Sequence, residues 1–401
     1  MKDALIIAHF CGDFDRQGNN RFNCLANLFS DFFDVELVTS DFSHLEKAKR
    51  SAPGTGSQKF KVTLVPEPPY QKNVSFRRVY SHYMMSRSLK RYLSRRKKPD
   101  VIYCAVPSLD AAYVAAMYAE KNKVRFILDV EDLWPEAFKM VFNIPVFSDL
   151  VFCPFARKAN AIYQRADEVV AVSRTYADRA VAVNGKRKQG HSVFLGTELK
   201  DFDKFAAASK YDKPTGEIWL AYIGTLGHSY DLTTVIDALA ILRKKGIHNI
   251  KFVVMGDGPL RRRFEGYAKE REIYRDFTGK LAYPDMVRLL SICDIAANPI
   301  ARGAAQSIIN KVGDYAAAGL PVLSTQECPE YRNLVDQYNI GFNCANNDPE
   351  DLADKLLLLY KDEELRATMG RNNRRLAEEK FDRARTYPPI VDLVRGAGGA
   401  D

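Results

Sequence analysis

Two stretches set reactive residue types just past short apolar runs. In the first, Asp129-Val-Glu131-Asp132-Leu-Trp134-Pro135-Glu136 closes the strand-like run 125–130. Carboxylates at a strand end can take a proton from a hydroxyl, and Asp129 would lie close to Glu131 and Asp132. The competing reading makes the pair caps of the turn before Trp134-Pro135. In the second, Gln306-Ser-Ile-Ile-Asn-Lys311-Val-Gly-Asp314 leads into an Ala-rich helix that stops at Gly319 and gives way to a strand at Pro321. Free backbone N–H groups around Ser307, Ile308 and Ile309 would carry about half a positive charge between them. Lys311 adds a whole charge, and Asp314 one turn later could accept from a ribose or sugar hydroxyl. That combination suits a diphosphate joined to a sugar. Against it stands a plainer pattern, with Asp314 capping the first turn and Lys311 solvated.

Other glycine turns follow apolar runs. Gly224-Thr225-Leu-Gly227 sits between a strand and a helix, where backbone N–H groups can approach a phosphate. Gly256-Asp-Gly-Pro259 and Gly279-Lys280 are similar. None is the GxGxxG fingerprint, which argues against a nicotinamide enzyme. Asp13-Phe-Asp15 and Asp201-Phe-Asp203 match the DxD pattern of metal-dependent sugar transferases, but lie away from these turns and read as chance. The six histidines show no ligand spacing, so no metal site is expected.

The elements that must hold these residues alternate. Apolar runs at 4–8, 35–39, 61–65, 100–104, 125–130 and 168–172 read as strands of a buried parallel sheet. Amphipathic segments near 20–31, 77–96, 108–121 and 153–166 separate them. After Gly196 the chain turns polar and reads as a linker. A second series follows, with strands at 218–223, 251–255, 293–298 and 320–324 and helices near 231–245, 259–271, 284–291, 311–318 and 349–360. The pattern predicts two sequential, doubly wound, Rossmann-like α/β domains: 1–198, with 380–401 packing back onto it, and 199–379. The cleft between two such domains is the expected ligand site.

The chain of 401 residues is 46% hydrophobic and 27% charged, enough for two cores. Its net charge of +9 is uneven: residues 1–200 carry 31 Lys and Arg against 21 Asp and Glu. Much of the excess lies in 77–98, where Tyr80, Tyr83, Met84, Met85, Leu89 and Tyr92 interleave with the basic residues. That run suits either a solvated helix face or attraction to an anionic surface. Nothing resembles a nucleic-acid-binding motif. Seven scattered cysteines with no CxxC suggest reduced thiols and a cytosolic compartment. A start that turns polar by Asp13 gives no secretory leader, and no apolar run is long enough to span a bilayer. The apolar stretch 140–155 reads as core rather than as a membrane-contact lip.

A resemblance ties these pieces together. "YIGTLG…DL…VIDAL", "VVMGDGP…RFE", "FTGKL…PDMVRLLSICDIAANP" and "NKVGDYAAAGLPVLST" follow one another as in retaining glycosyltransferases of family four, with the GT-B fold. "VEDLWPEAF" resembles the Asp-Leu-Trp-Pro-Glu segment of members that build capsule, O-antigen and exopolysaccharide. The resemblance implies a hexosyltransferase using a nucleotide-sugar donor, a lipid-linked oligosaccharide or glycan acceptor, no metal or other cofactor, and peripheral attachment to the cytoplasmic face of the plasma membrane. It implies donor contacts at Gly18, Asn19, Gly224, Thr225, Lys280, Gln306, Ser307, Ile308, Ile309, Lys311 and Asp314, with the nucleoside along 277–282. It implies catalytic roles for Glu131 and Asp132, and charge neutralisation by Arg21. The sequence departs from the family in three places. The family's paired acids, eight positions apart, fall here on Gln306 and Asp314. Its Arg and Lys after the first strand of domain two fall here on Thr225 and on His228 or Ser229, leaving Lys311, with Arg302 and Lys280 as alternatives, to supply that charge. Its His-Asp in domain one becomes Glu131-Asp132. The rival expectations are a nucleotide-sugar 2-epimerase of the same architecture and a non-enzymatic binder of anionic polymer.

Overall fold

The computed structural model describes residues 1–12, 14, 20–51, 58–73, 75–137, 147–304 and 308–396. It divides into two compact units, one holding Met1–Phe194 with the segment from Tyr387 onward, the other Leu195–Thr386.

In the first unit the strands are β1 (Lys2–Ile7), β2 (Phe33–Ser40), β3 (Phe42–Ser43), β4 (Ala48–Lys49), β5 (Lys61–Val65), β6 (Val101–Val106), β7 (Arg125–Val130), β8 (Glu168–Ala171) and β9 (His191–Ser192). Seven of them form a parallel sheet in the order β5-β2-β1-β6-β7-β8-β9, with β3 and β4 a separate antiparallel pair. The central strand β6 is buried at all six positions, as expected of a parallel strand covered on both faces. The covering helices are α1 (Arg21–Phe29), α2 (Phe76–Arg95), α3 (Leu109–Asn122), α4 (Phe147–Arg165) and α5 (Arg174–Val181). Asn20 caps α1, its side-chain oxygen accepting from the N–H groups of Phe22 and Asn23.

The second unit holds α6 (Leu199–Ala207), β10 (Ile218–Ile223), α7 (Leu232–Lys244), β11 (Ile250–Met255), α8 (Arg261–Glu270), β12 (Arg275–Gly279), α9 (Tyr283–Leu290), β13 (Ile295–Asn298), α10 (Asn310–Ala317), β14 (Val322–Ser324), α11 (Pro329–Tyr338), β15 (Gly341–Asn343), α12 (Pro349–Lys361), α13 (Glu363–Leu376) and α14 (Arg383–Thr386). Its sheet runs β12-β11-β10-β13-β14-β15. The last helix, α15 (Pro388–Arg395), returns to the first unit and puts Ile390, Leu393 and Val394 in one core with Phe22, Leu25 and Phe29.

Both sheets are doubly wound. The order reverses between β1 and β6 in one and between β10 and β13 in the other, and ligands of such sheets bind at the carboxyl ends beside that reversal. Several elements lie outside the sequence reading. The stretch read as a linker contains α6, which buries Leu199 and Phe202. The edge strands β12 and β15 were missed because one is polar and the other only three residues long. In α13 the buried positions include Gly370 and Asn373, so it shows little apolar stripe. Of the apolar stretch 140–155, residues 140–146 lie outside the described residues, and Phe147 onward begins α4.

Candidate active site

At the β10–β13 reversal, β10 ends in the Gly224 turn. Gly224 has φ +122°, and a Cβ there would lie 3.2 Å from the Nζ of Lys311. Only glycine suits both constraints. The turn is braced from β11, where a Cβ on Gly256 would overlap the Gly224 carbonyl oxygen at 1.8 Å. The N–H groups of Gly224 and Leu226 donate to the carbonyls of Met255 and Asp257. On the other side, Tyr230 bridges to Ile300 after β13. So the Gly224–Tyr230 turn, braced from β11 and from the segment after β13, lies against the start of α10.

The start of α10 differs from that of α7. Asp231 caps α7, accepting from the N–H of Thr234, whereas the residue before α10, Ile309, offers no capping oxygen. Lys311 is 7% exposed. Among the described residues its Nζ has no hydrogen-bond partner. It lies 4.2 Å from the ring centre of Tyr222 and 3.7 Å from that of Tyr230. Each ring face offsets about 0.5–2 kcal/mol, less than the several kcal/mol that burying an unpaired charge costs. Burial accordingly pushes the Lys311 amine well below the ordinary lysine range. The solvated reading of Lys311 is therefore wrong.

Asp314, 5% exposed, is not a first-turn cap either. Its Oδ1 accepts from Thr197 Oγ1 at 3.0 Å and from the Tyr283 hydroxyl at 2.8 Å. Thr197 is fixed in turn, its N–H donating to Phe381 O and its carbonyl accepting from Arg383 N–H. Ile308 is buried and Ile309 partly buried beside Lys311, while Thr225 is exposed on the turn. Lys280 is exposed just after the edge strand β12, two strands from β10 and away from the reversal. Gly18, Asn19, Gln306 and Ser307 lie outside the described residues, as do Asp13 and Asp15. Asp203 of the other DxD match lies on α6 and accepts two hydrogen bonds from Arg374.

In the first unit, Glu131 and Asp132 follow β7, and both their N–H groups donate to the Val106 carbonyl at the end of β6. Asp132 Oδ2 accepts from Trp134 Nε1 at 3.1 Å. Burial pushes its carboxyl above the usual range, against hydrogen bonds from Trp134, the Leu133 amide and Tyr176 and the nearby charge of Arg78. A carboxyl so placed suits proton transfer. Asp129 does not join it. It is fully buried, receives Arg21 Nε at 2.8 Å and Nη2 at 3.1 Å, and accepts from the Tyr103 hydroxyl at 2.7 Å. Arg21 is 4% exposed and also donates to Tyr387 and to the carbonyls of Val193 and Phe194, so it anchors the core rather than neutralising a ligand.

A polar cluster beside β1 and β6 was invisible to spacing arguments. His9, Glu67 and His82 come from three separate elements, yet their ligand atoms lie within 4.8 Å of one another. His9 Nε2 meets Glu67 at 2.8 Å and its Nδ1 meets Ser108 Oγ at 2.5 Å. Ser81 donates to the other Glu67 oxygen, and Arg78 Nε approaches His82 Nε2 at 3.4 Å. With these atoms engaged and a guanidinium adjacent, the cluster is a hydrogen-bonded network that suits a cation poorly. It fixes the β1 end next to Trp134, on which His82 stacks at 6.0 Å.

Comparison with known proteins covers both units. Residues 203–376 match the family model described as glycosyl transferases group 1, and residues 23–194 match the glycosyl transferase 4-like domain. WbjE of Pseudomonas aeruginosa, named as a glycosyltransferase, is 23% identical over 240 residues, 57% of this chain and 58% of its own length. WcaI of Escherichia coli K12, named for colanic acid biosynthesis, is 24% identical over 316 residues, 75% of each chain. The crystal structure of Anabaena HepE with UDP superposes with a TM-score of 0.73, covering 99% of this chain and 100% of that one at 15% identity.

Proposed function

The chain belongs to the glycosyltransferases of GT-B fold, and from that premise we propose that it is a retaining hexosyltransferase. It moves a sugar from a nucleotide-sugar to a lipid-linked or glycan acceptor in cell-surface polysaccharide assembly. The observation that carries this reading is the buried amine of Lys311, unpartnered among the described residues and set at a helix start beside the Gly224 turn. An ammonium and free amides at that point are suited to a leaving diphosphate. The family's usual cations are absent from the turn, and Lys311 supplies one from α10 instead. Asp132, with its raised carboxyl, is the group suited to exchange a proton with the acceptor hydroxyl. Among the described residues no covalent nucleophile is apparent, so retention would proceed by attack from the leaving-group side rather than by double displacement.

Among the described residues, no helix is long and apolar enough to cross a membrane. Peripheral attachment to an anionic surface is supported by α2. Phe76 is 95% exposed, and Val79, Tyr80 and Tyr83 continue an apolar stripe along it. Arg91, Arg95, Arg96 and Lys61 then line a groove of about 420 Å³ between α2 and β5.

A panel of nucleotide-sugars tested by melting, followed by incubation of the stabilising donor with and without acceptor glycan, checks the reading. Acceptor-dependent transfer with unchanged anomeric configuration supports it. A sugar epimerised without acceptor means the 2-epimerase, and no stabilisation by any nucleotide means a non-enzymatic binder.

A further inference from the structure

The surroundings of Lys311 suit an amine better than an ammonium. An ammonium carries three donors, and among the described residues none has an acceptor here. The hydroxyls near it are engaged elsewhere. Tyr222 donates to the Thr225 carbonyl at 2.7 Å, and Tyr315 donates to the Ala297 carbonyl while accepting from Ile223 N–H. The acid on its own helix, Asp314, is turned to Thr197 and Tyr283. From β10 and the following turn the amine meets the faces of Tyr222 and Tyr230, which carry no formal charge at neutral pH. Burial lowers its ionisation, and among the described residues no carboxylate offsets it. Yet the amine lies against the Gly224 turn, where a Cβ would touch it, and that turn is exposed on its outer side.

We propose that Lys311 is uncharged in the free protein and takes up one proton when a nucleoside diphosphate binds at the start of α10, so that affinity for the diphosphate rises as pH falls. This rests on the donor-site reading above. The amine lone pair forms one N–H bond with a proton drawn from buffer, and no bond of the phosphate breaks. The new charge appears only when an anion is there to receive it. The consequence for turnover is directional: the site holds the diphosphate product more tightly at lower pH and releases it more readily at higher pH.

The test is calorimetry of uridine, guanosine, adenosine and thymidine diphosphates at pH 8.5, well above the terminal phosphate's own titration near about pH 6. Repeating the titration in two buffers of different ionisation heat counts the protons taken up. About one proton per diphosphate is expected, with affinity falling up to about tenfold per pH unit above the free amine's titration. Lys311→Met should bind weakly with no pH slope, and circular dichroism confirms that it is folded. Tight binding with no proton uptake overturns the proposal while leaving the donor site standing. Uptake that persists in Lys311→Met assigns the proton to another group and also overturns it. Failure of all four diphosphates to bind the wild type overturns the donor-site reading and the proposal with it.

Discussion

Replacing Lys311 with methionine should make the protein more stable and worse at binding its donor. Methionine keeps most of the buried length of the side chain and removes the unpartnered nitrogen. A buried polar group without a hydrogen bond costs about 1–3 kcal/mol, so the variant should gain about that much. The second unit, Leu195–Thr386, is of a size for which each kcal/mol moves the melting temperature by about 2–4 °C, predicting a rise of about 2–12 °C. Lost charge-assisted hydrogen bonds to the diphosphate should cost about 1.5–3 kcal/mol, or about 10- to 150-fold in affinity. The stability gain should also depend on pH. Because burial depresses the folded-state value, the unfolded chain binds more protons between that value and about 10.4. Wild-type stability therefore rises with pH across that window, and the advantage of the variant should shrink between pH 7.5 and 9.5. Melting curves at the two pH values, with titration of the stabilising nucleotide, read all of this. A variant that melts lower than wild type and binds the nucleotide equally well would refute the reasoning.

Asp132→Asn should cut turnover about 10²–10⁴-fold with donor affinity unchanged, and Glu131→Gln should separate the two carboxylates; near-normal turnover in both, with lowered melting, would make the pair structural. Arg21→Met should destabilise the first unit by about 3–5 kcal/mol by stranding buried Asp129, without altering nucleotide affinity in folded protein; melting and calorimetry check it. Burial opposes ionisation of Glu36, but hydrogen bonds from Thr63, Tyr92, Lys61 and Arg96 hold it at about 2. Its stabilising contribution, full above about pH 4.3, should be lost as pH falls towards 2, and Glu36→Gln should flatten that part of the acid-melting profile. Binding to anionic vesicles should weaken in high salt and when Arg91 and Arg95 become Gln, whereas Phe76→Ser with Tyr80→Ser should lower the salt-resistant fraction. Co-sedimentation unchanged by both sets would exclude the α2 face.

Much of the fold is legible because buried parallel strands leave continuous apolar runs. Val101–Val106 and Ile218–Ile223 need no partner to be noticed, whereas polar β12 and three-residue β15 need their neighbours. The donor site is half legible. Gly224 and Lys311 carry recognisable residue types, but only folding shows that the glycine makes room for the amine. The reading of Asp129 and Arg21 failed because spacing places a residue on a strand without saying which face it points from. Both turn inward and satisfy each other. His9, Glu67 and His82 escaped notice for a related reason: the three lie far apart in sequence and meet only where β1, β5 and α2 converge.

Hydrogen exchange with and without the stabilising nucleotide-sugar tests the central claim most directly. The account predicts slowed exchange in peptides covering 223–231 and 308–317, the Gly224 turn and the start of α10. Nucleotide binding with no protection at either segment would contradict it.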